Sequence, residues 1–324
     1  MVEDEAEGTV TAAGEGAGAS ATTRYGTAAL VGRPNAGKST LLNRLLAEKL
    51  AIVSEKPQTT RHRIVGILTE PRGQVVFYDT PGIHRPLHRM NRLMLQEAES
   101  ALQAADVVCL LVDVAEPFGK GDEYMLEMME RVQSPRLLLL NKIDLVKKSR
   151  LLPLIAQYSE GGRFEEIIPI SAATGDGAQS VLDAIFARLP EGAPLHDPEL
   201  LTIHPERFLV AERIREKVLE QTAQEVPFAT AVLVERWEDD AAKDLVRIYA
   251  SILVEREGQK KILVGAGGSR IKSIGIAART DLEEFLEKQV FLQLHVRVEE
   301  RWRENARILA ELEREAMLGS GGSE

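Results

Sequence analysis

From Ala28 to Leu189, short and wholly apolar runs alternate with longer segments whose apolar positions recur every three or four residues. The runs Ala28–Val31, Ile64–Leu68, Val75–Tyr78, Val107–Val112, Leu137–Leu140 and Ile167–Ile170 predict strands. The segments Ser39–Leu46, Met90–Ala104, Asp122–Arg131, Leu151–Tyr158 and Ala178–Arg188 predict helices. Strands without a polar face, separated by helices, belong in an α/β domain with a mostly parallel sheet and helices on both faces. Thr69 to Gly73 joins the second and third runs and is too short for a crossover. That pair is expected to be an antiparallel hairpin.

The pattern breaks at PEGAPLHDPELLTIHP, residues 190–205, where four prolines mark a linker expected to pack on both halves. Beyond it, Arg207–Glu225 is helical in period, while Thr230–Glu238 and Leu245–Glu255 alternate as strands do. Lys260–Ile274 is helical around a glycine loop, and Thr280–Lys288 is helical again. In VFLQLHVRV, 290–298, the residues Val290, Leu292, Leu294, Val296 and Val298 share one face of a half-buried strand. This order predicts an α+β domain with a three-stranded sheet. Trp302 and the amphipathic stretch 303–317 are expected to pack back on that sheet or to cover a bound strand. The chain thus divides into a tail (1–24), an α/β domain (25–189), a linker (190–205), an α+β domain (206–302) and a C-terminal helix with its tail (303–324).

Composition adds limits. The 324 residues suffice for two cores, and 44% hydrophobic with 28% charged content is ordinary for a globular protein. The single Cys109 excludes an internal disulfide and fits a reducing cytoplasm. No apolar run approaches the roughly 18 residues of a membrane span, and no secretory pattern opens the chain. Residues 1–24 are acidic, rich in Gly and Ala, and poor in large apolar groups, so disorder is expected there. The net charge of −10 argues against a nucleic-acid partner until its distribution is examined. Between Arg256 and Arg279 six cations face one acid, Glu257, and the glycine loop VGAGGSRIKSIG lies among them.

Two glycine-rich loops therefore compete as phosphate cradles. The first, Gly32-Arg33-Pro34-Asn35-Ala36-Gly37-Lys38-Ser39 followed by Thr40, leaves a strand and opens a helix, as the G-x-x-x-x-G-K-[ST] pattern requires. Its N–H groups face phosphate at a helix N-terminus, Lys38 reaches the outer phosphates and Ser39 ligates Mg²⁺. Asp79-Thr80-Pro81-Gly82 follows the third strand, where an Asp can hold Mg²⁺ and the Gly82 N–H can sense a γ-phosphate. Asn141-Lys142-Ile143-Asp144 follows the fifth strand, and its Asp144 carboxylate suits the adjacent N1–H and N2–H₂ donors of guanine. Ser171-Ala172-Ala173 ends the sixth strand, where a backbone N–H can meet guanine O6. All four loops sit at C-terminal strand ends, where open α/β sheets bind ligands.

These motifs, with the stretch Lys56-Pro57-Gln58-Thr59-Thr60-Arg61-His62-Arg63 and DTPGIH, resemble the Era-type GTPases of bacterial ribosome assembly over about residues 26–305. The resemblance implies a P-loop GTPase domain that binds GTP and GDP, with Lys38, Thr60 and Gly82 catalytic and Ser39, Thr60 and Asp79 around Mg²⁺. Thr59 is an alternative to Thr60. Ile83 stands where Ras-like enzymes carry a water-orienting glutamine, so hydrolysis is expected to be slow. Some relatives with Asn in the first loop recruit K⁺, and Asn35 has that position; a plain loop hydrogen bond is its other reading.

The second loop lacks the third glycine of a dinucleotide fingerprint and the Gly-Lys-Ser of a P-loop. Gly265-Ala266-Gly267-Gly268 instead fits the G-x-x-G loop of a KH domain, which clamps a single-stranded nucleic-acid backbone. Lys260, Lys261, Arg270 and Lys272 would attract its phosphates. Ile262, Ile271 and Ile274 line a base groove or pack in the core. The element order resembles the type II KH domain of the same family, although the two middle loop positions lack the lysine common there. The resemblance implies a monomer in the cytoplasm that binds the 3′ region of 16S rRNA during maturation of the 30S subunit. It leaves open a peripheral contact with the inner membrane. The competing readings are a nucleotide-gated binding module, a GTPase of tRNA modification, and an ATPase, which Asp144 disfavours.

Overall fold

The computed structural model describes residues 23–317 except 55, 57–58, 84–87 and 161. The tail expected at 1–24 lies outside the described residues up to position 22. Its last residue is not tail: Arg24 begins β1 and pairs with Gly73.

β1 (Arg24–Gly32), β4 (Val107–Asp113), β5 (Arg136–Asn141) and β6 (Glu166–Pro169) run parallel, as does β3 (Gly73–Asp79) beside β1. β2 (Ile64–Glu70) pairs antiparallel with β3 as the hairpin that its short connection demands. The sheet order is β2-β3-β1-β4-β5-β6. Alternate residues of β1 serve opposite faces. Ala28 and Leu30 pack with α1 (Lys38–Leu46) and α5 (Ala178–Arg188). Ala29 and Val31 pack with α2 (Arg89–Ala104), α3 (Lys120–Met129) and α4 (Leu151–Ser159). Cys109 is fully buried, and burial pushes its thiol up to about 12, which makes it inert at neutral pH.

β2 is an edge strand, and residues 190–205 cover it. The Ile67 N–H donates to the Leu201 carbonyl, the Thr202 hydroxyl donates to the Val65 carbonyl, and the Val65 N–H donates to His204 Nε2. Pairing by an irregular segment removes the open ladder that an exposed edge would present.

The second sheet, β7 (Ala231–Asp240), β8 (Leu245–Val254) and β9 (Gln289–Val298), has β7–β8 antiparallel and β8–β9 parallel. Its inner face packs on α6 (Glu206–Gln221), α7 (Glu257–Val264) and α8 (Ser269–Leu286), and Val290, Leu292, Leu294, Val296 and Val298 all turn that way. Two expectations are corrected here. α6 stops at Gln221, short of Glu225, and Gln224 has a positive φ of 57°. The stretch expected to be helical over 260–274 is divided at the glycine loop between α7 and α8, and α8 continues without a break through the separate helix expected at 280–288, ending at Leu286.

The outer face of β7 and β8 does not stay open. Ala231, Leu233 and Leu253 meet Trp302 and, from α9 (Ala306–Met317), Ile308 and Leu309, and the same cluster includes Met90 and Met94 of α2. The C-terminal helix therefore wedges between the two sheets' domains. Among the described residues no helix is long and apolar enough to cross a membrane.

Candidate functional site

β1 delivers the first glycine loop at its C-terminal end, and α1 starts at Lys38 directly behind it. A cavity of about 390 Å³ opens there, lined by Asn35, Gly37, Lys38, Ser39, Thr40, Thr60, Gly82 and Lys142 among others. Lys38 is buried, and its ammonium donates to the carbonyls of Gly32 (3.3 Å) and Arg33 (3.1 Å). Burial lowers it to about 8, with the Asp79 charge acting in the opposite direction.

Three side chains from separate elements meet beside it. Ser39 Oγ donates to Asp79 Oδ2 at 2.6 Å and lies 2.8 Å from Thr60 Oγ1, which itself donates to Asp79 Oδ2 at 3.2 Å. Burial pushes the Asp79 carboxyl up to about 6, while Lys38 and the two hydroxyls pull it down. Its other oxygen, Oδ1, is buried with no hydrogen-bond partner. Two hydroxyls and a half-satisfied buried carboxylate form an all-oxygen donor set, the kind a hard divalent cation such as Mg²⁺ takes. The Thr59 hydroxyl instead turns to the Lys56 carbonyl at 2.7 Å, so Thr60 alone of the two faces Asp79. Pro57 and Gln58 of the same stretch, and His84, lie outside the described residues.

Gly82 is pressed against the first loop: a Cβ there would sit 2.7 Å from Pro34 Cα, so only glycine lets these loops touch. Thr80 is spent on structure, its hydroxyl donating to the Leu30 carbonyl at 2.9 Å. Ile83 is 4% exposed and belongs to the core, facing away from the cavity. Arg33 also points away, into an ion pair with Asp122 of α3 at 2.9 Å, which leaves only its backbone in the cradle.

The loops expected at a base are cross-tied. Asn141 is 1% exposed; its amide donates to the Ala36 carbonyl at 2.7 Å, and its oxygen accepts from the Ala172 N–H at 2.9 Å. It braces three loops without facing the cavity. The Ser171 N–H donates to Asp176, so Ala173 supplies the N–H of the trio not already engaged among the described residues. Lys142, held in left-handed conformation at φ 67°, pairs with Asp113 at 2.6 Å, while Asp144 is exposed in the turn Ile143–Leu145. Sequence reasoning missed Asp113 and Arg44. The Arg44 guanidinium fixes the last loop through the Ala173 carbonyl at 2.6 Å. An Asp at a strand's C-terminal end was the available signal for Asp113; no local signal marks Arg44.

The second loop stands apart, between α7 and α8. Gly267 and Gly268 have φ of 56° and 78° with nothing near a built Cβ, so their backbone is bare toward solvent. Lys261, Arg270 and Lys272 are exposed around it and Lys260 is half-buried. Arg270 also donates to the Ile262 carbonyl at 3.0 Å, closing the loop. Of the three isoleucines Ile274 is fully buried in the core, Ile271 packs at its margin, and Ile262 is 37% exposed.

Comparison with known proteins gives a consistent result. A family profile described as a 50S ribosome-binding GTPase matches residues 27–142, and one for the KH domain matches 225–303. GTPase Era of Geobacter sp. (strain M21) is 47% identical over 288 residues, spanning 89% of this chain and 97% of the relative. GTPase Era of Leuconostoc citreum (strain KM20) is 44% identical over 297 residues, spanning 91% and 97%. A crystal structure of an Era variant from Aquifex aeolicus bound to GDP·AlF4⁻ has a TM-score of 0.86 at 35% identity, covering 90% of this chain and 99% of that one. A crystal structure of Era with MgGDPNP and nucleotides 1506–1542 of 16S ribosomal RNA has a TM-score of 0.87 at 36% identity, covering 90% and 98%.

Proposed function

The chain belongs to the Era family of GTPases, and from that premise we propose that it hydrolyses GTP slowly while gripping 16S rRNA in small-subunit maturation. The observation that carries this reading is the meeting of Ser39, Thr60 and Asp79 beside the buried Lys38. Mg²⁺ bound there would neutralise charge on the β- and γ-phosphates. Ser39, Thr60 and Asp79 would hold it, and Lys38 would exchange its two loop carbonyls for phosphate oxygens. The first-loop N–H groups cradle the phosphates, and the Gly82 N–H meets the γ-phosphate. Asp144 accepts from the guanine N1–H and N2–H₂ edge, with the Ala173 N–H at O6 and Lys142 lining the cavity beside them.

Slow chemistry follows from Ile83, which offers the attacking water no hydrogen-bonding group where Ras-like enzymes carry glutamine. Asn35 adds K⁺ to this reading, and a rate that is the same in KCl and NaCl would remove it. At the other end, Gly265 to Gly268 clamp the RNA backbone, with Lys260, Lys261, Arg270 and Lys272 drawing in its phosphates. The protein acts on the 3′ region of 16S rRNA in the 30S subunit, as a cytoplasmic monomer.

Single-turnover cleavage of GTP by the full chain, with Lys38→Ala as control, tests the reaction. Cleavage no faster than the control would leave a nucleotide-gated binding module instead. Asp144→Asn is expected to lose preference for guanine over other purines in competition binding.

A further inference from the structure

Thr60, the residue that closes on Asp79, is held in place from the second domain. On one side of it, the Thr59 carbonyl accepts from the guanidinium of Arg215 on α6. On the other, Arg61 reaches across and donates to the carbonyls of Pro227 (3.1 Å), Phe228 (3.2 Å) and Thr230, with its guanidinium 5.7 Å from the Trp302 ring centroid. The contact continues upstream. Lys56 donates to the Leu219 and Thr222 carbonyls at the end of α6, and the Val53 N–H donates to Glu216 at 3.1 Å. Lys49 pairs with Glu216 at 2.6 Å.

Adhesion alone explains this arrangement badly. Arg61 and Arg215 are 6% and 2% exposed, and each keeps one buried guanidinium nitrogen, Nε and Nη1, without a hydrogen-bond partner. They are also like charges close enough for Arg215 to disfavour the charge on Arg61. Burial and then Arg215 lower Arg61 to about 9, so it remains charged at neutral pH. Glu212 pairs with Arg215 at 2.5 Å, and that charge outweighs the burial that would raise it. A cavity of about 40 Å³ touches both arginines and would admit a water or two. Buried cations left partly unsatisfied are poor sources of stability. Their geometry is specific, however: a planar fork is needed to reach three carbonyls at once.

We infer that Arg61 and Arg215 are positioning residues through which the G-x-x-G domain seats Thr60 at the Mg²⁺ position, so that the triphosphate form depends on that domain and the diphosphate form does not. The inference rests on the nucleotide reading given above. Thr60 would act on Mg²⁺ and γ-phosphate together, so losing its seat weakens only the ligand that carries both.

The test uses the full chain and equilibrium binding of GDP and of non-hydrolysable GDPNP, each with excess Mg²⁺ and again with EDTA. In Arg61→Met and Arg215→Met the affinity for GDPNP in Mg²⁺ is expected to fall about tenfold, as for a typical coupling between sites, with GDP essentially unchanged. Arg61→Lys recovers only part of the loss, because one ammonium cannot span three carbonyls. In EDTA the variants and the parent converge. Equal weakening of both nucleotides, no change in either, or a difference that persists in EDTA would overturn the inference. GDP binding retained by a variant shows that it is folded. A parent chain that binds neither nucleotide would instead sink the functional reading on which this rests. Should a methionine variant fail to fold, Arg61→Lys and Arg215→Lys carry the same comparison.

Discussion

Asp79 shows how one buried carboxyl ties pH to stability and, in the proposed function, to the metal. Its pKa is raised to about 6, so the folded, metal-free protein takes up this proton well before the unfolded chain does near 3.8. The metal-free protein therefore gains stability as pH falls through that window and loses it as pH rises through 6. In the proposed function Asp79 would hold Mg²⁺ as the carboxylate, so Mg²⁺-dependent GTP affinity is expected to fall roughly tenfold per unit below about pH 6. Titration calorimetry across that range checks the slope, and Asp79→Asn should raise the Tm of the nucleotide-free protein at neutral pH. Ile83 makes the opposite point. Its identity is visible in the sequence, but its direction is not: it faces the core. Ile83→Gln is accordingly expected to bring no faster hydrolysis and to cost about 1–3 kcal/mol in denaturant unfolding, because an amide would be buried among apolar groups. A clear rate gain would show that the side chain can reach the cavity.

At the scale of elements, the strands and helices of the first domain were legible because apolar runs and 3.6-residue periods are local properties. The boundaries that moved are explained by neighbours. Arg24 joins β1 because Gly73 pairs with it, and α8 runs unbroken because Ile274, Ala278 and Leu282 all bury on one core. The covering of β2 by 190–205 was not legible, since prolines report only that the segment is irregular. His204 is its anchor: Nε2 accepts from Val65, so Nδ1 carries the proton and donates to the Ala316 carbonyl at 2.9 Å. Burial lowers its pKa below the ordinary 6.5, so the folded state resists protonation. The contribution of His204 is then complete above about 6.5 and is lost as pH falls below it, opposite in sign to that of Asp79. On going from about pH 7.5 to 5.5, the urea midpoint of His204→Gln should move to higher urea relative to that of the parent, because the variant loses only the acid-sensitive contribution. The glycine loop yields a separable prediction. Because nothing surrounds Gly267 and Gly268, changing both to Asp adds only left-handed strain of about 1–3 kcal/mol each, yet places carboxylates where phosphates would lie. RNA affinity should collapse while circular dichroism stays native. Undiminished RNA binding would mean that this loop is not the clamp.

For the molecule as a whole, the C-terminal segment joins parts that the sequence presents as separate. Trp302 is fully buried, its indole N–H donates to the Ala229 carbonyl at 2.8 Å, and around it gather Met90 and Met94 from the first domain with Leu233 and Leu253 from the second. Glu304 extends the link by accepting from the Arg89 N–H at the start of α2, a helix with no acid of its own in its first turn. Trp302→Ala is expected to destabilise the full chain by about 3–5 kcal/mol in chemical denaturation. A loss under ~1 kcal/mol would mean that this seam opens freely.

The amino-acid order alone determined the strand and helix order, the antiparallel hairpin, the position of both glycine loops and the family to which the chain belongs. Each of these is written in spacing along a few dozen neighbouring residues. Only the tertiary structure decided that Thr60, not Thr59, faces Asp79, that Asn141 braces loops, that Ile83 looks inward, and that Arg61 and Arg215 bind the segment around Thr60 to the second domain. Those facts depend on side-chain direction and on contacts between residues more than 150 positions apart. A linear pattern carries no record of which distant carbonyl a guanidinium will meet, because packing of two completed domains sets that distance.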